Sequence, residues 1–150
     1  MNRMSYRRFA AMMILSFLLM YFIMFLNMDN AEHYHTSLTR IYMSLLMVAP
    51  MAVAIILMMG KMYRSKKINK IIVVTSIIVF IAALAALRTQ TPISDVQYMK
   101  AMIPHHSSAI MTSKNADIKD PEVKQLSIQI IQSQEKEIAQ METILKRMQQ

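Results

Sequence analysis

Three side chains that can bind a metal ion fall within five consecutive residues, in the stretch Met102-Ile-Pro-His105-His106. On a helix, His105 and His106 lie three and four residues after Met102, so all three can converge on one site. Imidazole together with thioether favours copper, because thioethers select Cu(I) and imidazole binds either oxidation state. Pro104 frees a backbone carbonyl and changes the direction of the helix, so a second interpretation stays open: the two histidines cap or hydrogen-bond a broken helix.

A polar pair interrupts the apolar stripe of the next predicted helix. Gln134 and Glu137 share the face of Ile130 and Met141, where a polar group is costly unless it is hydrogen-bonded. Glu137 is therefore a candidate ligand, or an acceptor that fixes the tautomer of a ligating histidine; alternatively, it is an exposed charge on the helix flank. Asp95, in the first turn of the preceding helix, is either an acid stabilised by the helix dipole or a residue that faces the same site.

The loop 27–40 carries the other two histidines, His33 and His35. Their spacing of two suits a loop or an extended strand, in which they are either solvated or additional metal ligands. Four further methionines either pack against apolar neighbours or are soft metal ligands: Met43, Met99, Met111 and Met148.

Composition excludes several kinds of site. The chain of 150 residues has no cysteine, which rules out disulfides, thiolate metal sites and thiol catalysis. Its single glycine cannot build a Gly-rich phosphate loop, and no nucleophile with a base and an orienting partner is evident in the sequence. We therefore predict that the protein is not an enzyme.

Three apolar segments precede Met102 and the histidine pair, at 9–26, 41–60 and 71–88. Each is long enough, or nearly so, to cross a bilayer as a helix. A cleaved signal peptide is the alternative for the first segment, but residues 27–30 offer no small-residue cleavage site. The sequence therefore favours three membrane spans, the first of which is an anchor.

The net charge of +8 is confined to two short segments. They contain Arg3, Arg7, Arg8, Lys61, Arg64, Lys66, Lys67 and Lys70. The other nine basic residues are balanced by nine acidic ones, so the pattern is that of positive inner loops. It predicts a cytoplasmic N-terminus, with the loop 27–40 and everything after residue 88 on the opposite side. Nucleic acid is not expected as a partner, because the C-terminal region has no net charge.

Residues 91–150 are predicted to form a helical hairpin. Ser94 is a good N-cap, with Gln97 completing a capping box, and Asp120-Pro121-Glu122 is a strong helix start. The sequence thus predicts an all-α protein with a three-span membrane domain, 1–90, followed by an extracytoplasmic helical domain. Two helices cannot enclose a core alone, so we expect either dimerisation into a four-helix bundle or packing on the membrane helices.

The region 94–145 resembles the domain of unknown function 305 family. The resemblance rests on Asp95-x-x-Tyr98-x-x-x-Met102-Ile-Pro-His105-His106 and on Gln134-x-x-Glu137-Ile138-x-x-Met141. That family has a ferritin-like helical bundle fold and includes periplasmic copper-binding metallochaperones of the CopM type. The three-span region resembles its membrane-anchored branch. The resemblance implies metal-site roles for Met102, His105, His106, Glu137 and Met141.

In two respects the sequence departs from the family pattern, and both bear on whether one chain supplies all the ligands of the metal site. The family often has a methionine six residues after the second histidine, but here that position is Thr112. Met111 lies beside it, turned by about 100° on a helix. The second helical pair that is frequent in the family is not found in this sequence. Both departures favour a metal site shared between subunits.

The leading hypothesis is a membrane-anchored, extracytoplasmic protein that binds copper, as Cu(I) or Cu(II), for buffering, resistance or delivery. We expect it in a bacterial cytoplasmic (inner) membrane, with the C-terminal domain in the periplasm. The expected partners are the bilayer, a second copy of the chain and a protein that exchanges metal with it. The alternative is a non-catalytic structural or interaction subunit whose hairpin mediates oligomerisation.

Overall fold

The computed structural model describes residues 5–149, apart from the side chain of Lys61. Within this range the chain is all-helical, as predicted, and contains no β-strand. Its α-helices are α1 (Tyr6–Ile23), α2 (Leu38–Met59), α3 (Lys66–Thr89), α4 (Asp95–Asn115) and α5 (Pro121–Met148), with single 3-10 turns at Ala31–His33 and Gly60–Met62. Of the basic residues used to predict topology, Arg3 and the Lys61 side chain lie outside the described part.

The first three helices are long and apolar enough to cross a membrane, with 18, 22 and 24 residues. They overlap the three predicted spans, and they indicate that the chain associates with a membrane. α2 continues through Pro50, as membrane helices often do, because other groups satisfy the freed carbonyl. Large apolar side chains such as Leu19, Leu57 and Ile78 are exposed on these helices, which is the surface that lipid solvates.

The described chain divides into two compact units. The first, the membrane unit, comprises residues up to Phe22 together with Thr39–Pro92. The starts of α1 and α3 are joined there, since the Tyr6 hydroxyl accepts the Ser65 N–H at 3.0 Å and lies 2.9 Å from Asn69 Oδ1. Its buried cluster consists of Phe9, Ala52, Ile56 and Tyr63.

The second unit, the hairpin unit, combines α4 and α5 with residues 23–38, the segment that joins α1 to α2. Ser94 Oγ accepts the Gln97 N–H at 3.4 Å, so the predicted N-cap of α4 is confirmed. The reciprocal half of the capping box is wrong, because the Gln97 carboxamide oxygen accepts the Leu38 N–H instead, at 3.0 Å. That donor begins α2, where the first N–H groups have no partner within the helix. At the start of α5, Asp120 Oδ1 accepts two backbone N–H groups, as expected of an N-cap.

The core of the hairpin unit lies between α4 and α5. It consists of Met99, Ile103, Ile110, Ile138 and Leu145. α4 runs through Pro104 as one helix, so it does not restart at that proline. His105 and His106 therefore occupy consecutive positions of a continuous helix and project about 100° apart. Of the two, His106 is buried and His105 is exposed.

Candidate metal site

A methionine-rich cleft of about 600 Å³ lies between α4 and α5. Two of its methionines come from α4 and two from α5: Met99, Met102, Met141 and Met148. The spacing explains the convergence, because residues three, four or seven apart return to the same face of a helix. His106 and Glu137 also line the cleft. With Asp95, which also lines the cleft, the two helices contribute four thioethers, one imidazole and two carboxylates.

His106 is the polar centre of the cleft. Its side chain is only 10% exposed, and its Nδ1 lies 3.3 Å from Glu137 Oε2. This contact is close enough for an ion pair, but the buried Nδ1 makes no hydrogen bond in the described structure. Burial lowers the pKa of His106, which outweighs the opposite effect of Glu137. The imidazole is therefore neutral at neutral pH, and a neutral imidazole has a lone pair to offer a metal ion.

Glu137 is held by its own helix. The Ser133 hydroxyl, one turn earlier, donates to Glu137 Oε1 at 2.7 Å, which leaves Oε2 directed at His106. The Glu137 side chain is 46% exposed, so its charge remains solvated. Both roles predicted for Glu137, ligand and orienting acceptor, are compatible with this position.

The remaining predicted ligands are distributed over several surfaces. Asp95 and Met99 line the cleft with Met102, His106, Glu137 and Met141. His105 is exposed, and its ring centre lies 6.1 Å from that of His106. His105, Met111 and Gln134 are not among the residues that line the cleft. Met148, whose role the sequence left open, does line it; the signal was its spacing of seven from Met141, which is two helical turns.

Nitrogen and oxygen donors do not form a cluster of their own. Among the described residues, no group of three or more His, Asp or Glu side chains is placed to hold a metal ion. Methionine is instead the most frequent donor residue in the cleft, with four thioethers. This composition matters for the kind of ion that the cleft could select.

The segment 23–38 covers a different side of α4. Ser107 is fully buried, and its Oγ accepts the Asp29 N–H at 2.9 Å and lies 2.8 Å from His33 Nδ1. Lys114 Nζ, two turns further along α4, donates to Asp29 Oδ2 at 2.8 Å. Ser107 follows His106 by one residue and so projects about 100° away from it. His33 therefore packs against the covered side of the hairpin, away from the cleft.

Ser107→Ala is expected to lower the free energy of unfolding of the hairpin unit by about 1–3 kcal/mol, because it leaves buried polar groups without their partner. Ser108→Ala is the matched control, since the Ser108 hydroxyl donates to Pro104 O within its own helix. Thermal unfolding of the full chain in detergent compares the two. Equal losses for both variants would contradict the role assigned to Ser107.

Acidification is expected to destabilise the hairpin unit. Burial is the main reason why the pKa values of His35 and His106 lie below the usual 6.5. The unfolded chain then binds more protons than the folded chain, so the free energy of unfolding falls as the pH drops below about 6.5, until the lowered pKa values are passed. Thermal unfolding above and below this pH measures the loss. It should shrink in a His35→Gln/His106→Gln double variant, and an unchanged loss there would refute the assignment.

Comparison with known proteins adds a family assignment to this geometry. The family model described as Domain of unknown function (DUF305) matches residues 79–147. This range contains every residue of α4 that lines the cleft, and all those of α5 except Met148. Uncharacterized protein L153 of Acanthamoeba polyphaga mimivirus is 45% identical over 106 residues, which cover 69% of this chain and 68% of that protein. No solved structure matches the chain. The chain belongs to the family of proteins that carry the domain of unknown function DUF305.

Proposed function

We propose that this protein is a membrane-anchored copper-binding protein that holds Cu(I) in the cleft between α4 and α5, for buffering, resistance or delivery. The observation that carries the proposal is the donor set. Four methionines and one buried histidine line a single cleft, and thioether and imidazole together suit copper, with thioether selecting Cu(I). Carboxylate and carbonyl oxygens, which suit magnesium or calcium, are a minority of the donors there.

The hydrogen bonding and protonation of His106 support the binding of a soft cation in the cleft. A buried imidazole nitrogen without a hydrogen bond is costly, and a metal ion would satisfy it. Because burial lowers the pKa of His106, protons compete less strongly with a metal ion for the imidazole at neutral pH. Met99, Met102, Met141, Met148 and His106 are the residues that would hold copper, and Glu137 would orient the imidazole or join the ligands.

The location proposed for this site follows from charge. Among the described residues, Arg7, Arg8, Arg64, Lys66, Lys67 and Lys70 are all exposed, and no acidic residue accompanies them in their segments. Under the positive-inside pattern, these segments face the cytoplasm and the hairpin unit faces the other side, which in bacteria is the periplasm. The membrane unit anchors the site, and a ferritin-like, CopM-type role in binding copper outside the cytoplasm is part of the proposal. The open cleft leaves room for transfer to a partner protein.

A competition titration with a coloured Cu(I) chelator tests the proposal. The purified full chain is compared with a Met99→Leu/Met102→Leu/Met141→Leu variant, because leucine replaces methionine at small cost in packing but offers no sulfur. The matched control replaces three methionines of the membrane unit: Met43→Leu/Met47→Leu/Met58→Leu. We expect the cleft variant to lose Cu(I) binding and the control to keep it. Equal binding by the parent and the cleft variant would overturn the proposal.

A further inference from the structure

An apolar stripe of α5 is only partly covered in the hairpin unit, because Met141 and Ile144 pack against the core while the other members are exposed. It consists of Val123, Leu126, Ile130, Met141, Ile144 and Met148. Val123, Leu126 and Met148 are 49%, 54% and 44% exposed, although their spacing is that of a buried helix face. The stripe runs from the first turn of α5 to the last and includes the side that lines the cleft.

Most of the stripe has the same pattern from either end. Val123 and Met148 are equally distant from the point between residues 135 and 136, and so are Ile130 and Met141. The polar pair that interrupts the stripe, Gln134 and Glu137, obeys the same relation. A two-fold axis at this point therefore brings Val123 opposite Met148, Ile130 opposite Met141, and the Gln134 carboxamide opposite the Glu137 carboxylate. Leu126 and Ile144 are one residue out of this register.

We propose that two copies of the chain pair through α5 in antiparallel orientation, about a two-fold axis between residues 135 and 136. Such an interface is self-complementary, as two-fold interfaces must be. At its centre the Gln134 carboxamide of each copy donates to Glu137 of the other, and this hydrogen bond satisfies both polar groups within an apolar interface.

Charge decides against the parallel alternative. With α5 paired in parallel, Glu137 would face the second copy's Glu137, and two carboxylates side by side in a desolvated seam repel each other. In the antiparallel arrangement, Glu122 near the start of α5 lies beside the second copy's Arg147 near its end, and this pairing occurs twice. The seam includes Glu137, Met141 and Met148, which also line the cleft, so the pairing is tested in the absence of metal.

Cross-linking of single-cysteine variants tests the orientation. Because the chain has no native cysteine, only the introduced cysteines can react. Ile130→Cys and Met141→Cys proteins, carrying tags of different size, are mixed in detergent without metal and treated with a short bis-maleimide. In the antiparallel pair, residue 130 faces the second copy's residue 141, whereas equal positions lie about 16 Å apart along the helix. We expect cross-links in the mixture and none in either variant alone. Cross-links within each variant alone would instead support a parallel pair and overturn the proposal.

The matched control uses Gln132→Cys and Ala139→Cys, which obey the same register but are exposed on another side of α5; their mixture should not cross-link. A second measurement uses Ile130→Asp, which replaces a residue that is 36% exposed within one chain and so should leave the helix intact. We expect this variant to be a monomer by sedimentation with unchanged helicity by circular dichroism. A parent chain that sediments as a monomer at every concentration would refute the interface.

Discussion

His106→Gln is expected to weaken Cu(I) binding by at least the roughly 10–100-fold that the loss of a ligand's hydrogen-bonding partner costs, whereas His105→Gln is expected to leave it unchanged. His106 is buried and lines the methionine-rich cleft, while its neighbour His105 is exposed to solvent. The difference arises because consecutive residues of a helix project about 100° apart. Glutamine keeps much of the volume and polarity of histidine but lacks the imidazole lone pair, so the change removes a ligand with little effect on packing.

The two histidine variants form a matched pair, since they differ by one position in the same helix. Competition with a Cu(I) chelator gives the affinity, and circular dichroism confirms that both variants keep their helices. Equal weakening by both variants would show that the site draws on both histidines. No weakening by either would exclude the cleft as the copper site.

Ile103→Ala is expected to give the largest loss of stability, about 2–5 kcal/mol, which is typical of a large-to-small substitution in a core. The Ile103 side chain has no exposed surface and packs between α4 and α5. Its loss removes buried apolar contact and leaves a cavity that the two helices can close only in part.

Ile128→Ala is the control for this prediction, because Ile128 is the same residue type in α5 but is 49% exposed. It should change the free energy of unfolding by about 0.5 kcal/mol or less. Chemical denaturation of the full chain in detergent, followed by circular dichroism, measures both variants. A similar loss for Ile103→Ala and Ile128→Ala would mean that the hairpin unit has no unique core between α4 and α5.

The helices of this protein were predictable from local features. Uninterrupted apolar length indicates the three membrane helices, and the N-caps Ser94 and Asp120 mark the starts of α4 and α5 through hydrogen bonds that span only a few residues. The hydrogen-bond partner of the Gln97 side chain could not be predicted from the neighbouring sequence. This side chain binds the backbone of Leu38, 59 residues away in sequence, and no periodicity reveals such a partner.

The candidate site was predictable in part for the same reason. Spacing alone brings Met102, His106, Glu137 and Met141 to two facing stripes, and all four line the cleft. Spacing alone could not separate His106 from His105, because both are within one turn of Met102. The side of α4 that stays open is determined by the segment 23–38, which covers Ser107, and that tertiary contact leaves His106 at the cleft.

The hairpin unit is assembled from two distant parts of the chain, and this has a consequence for biosynthesis. Asp29 and its partner Ser107 are separated by 78 residues. At a synthesis rate of about 5–20 residues per second, the segment 23–38 leaves the ribosome roughly 4–16 s before that partner. During this interval α2 and α3, which are long and apolar enough to cross a membrane, are synthesised while the segment has no α4 to pack against. The unit that carries the cleft is therefore completed only after all three apolar helices have been synthesised.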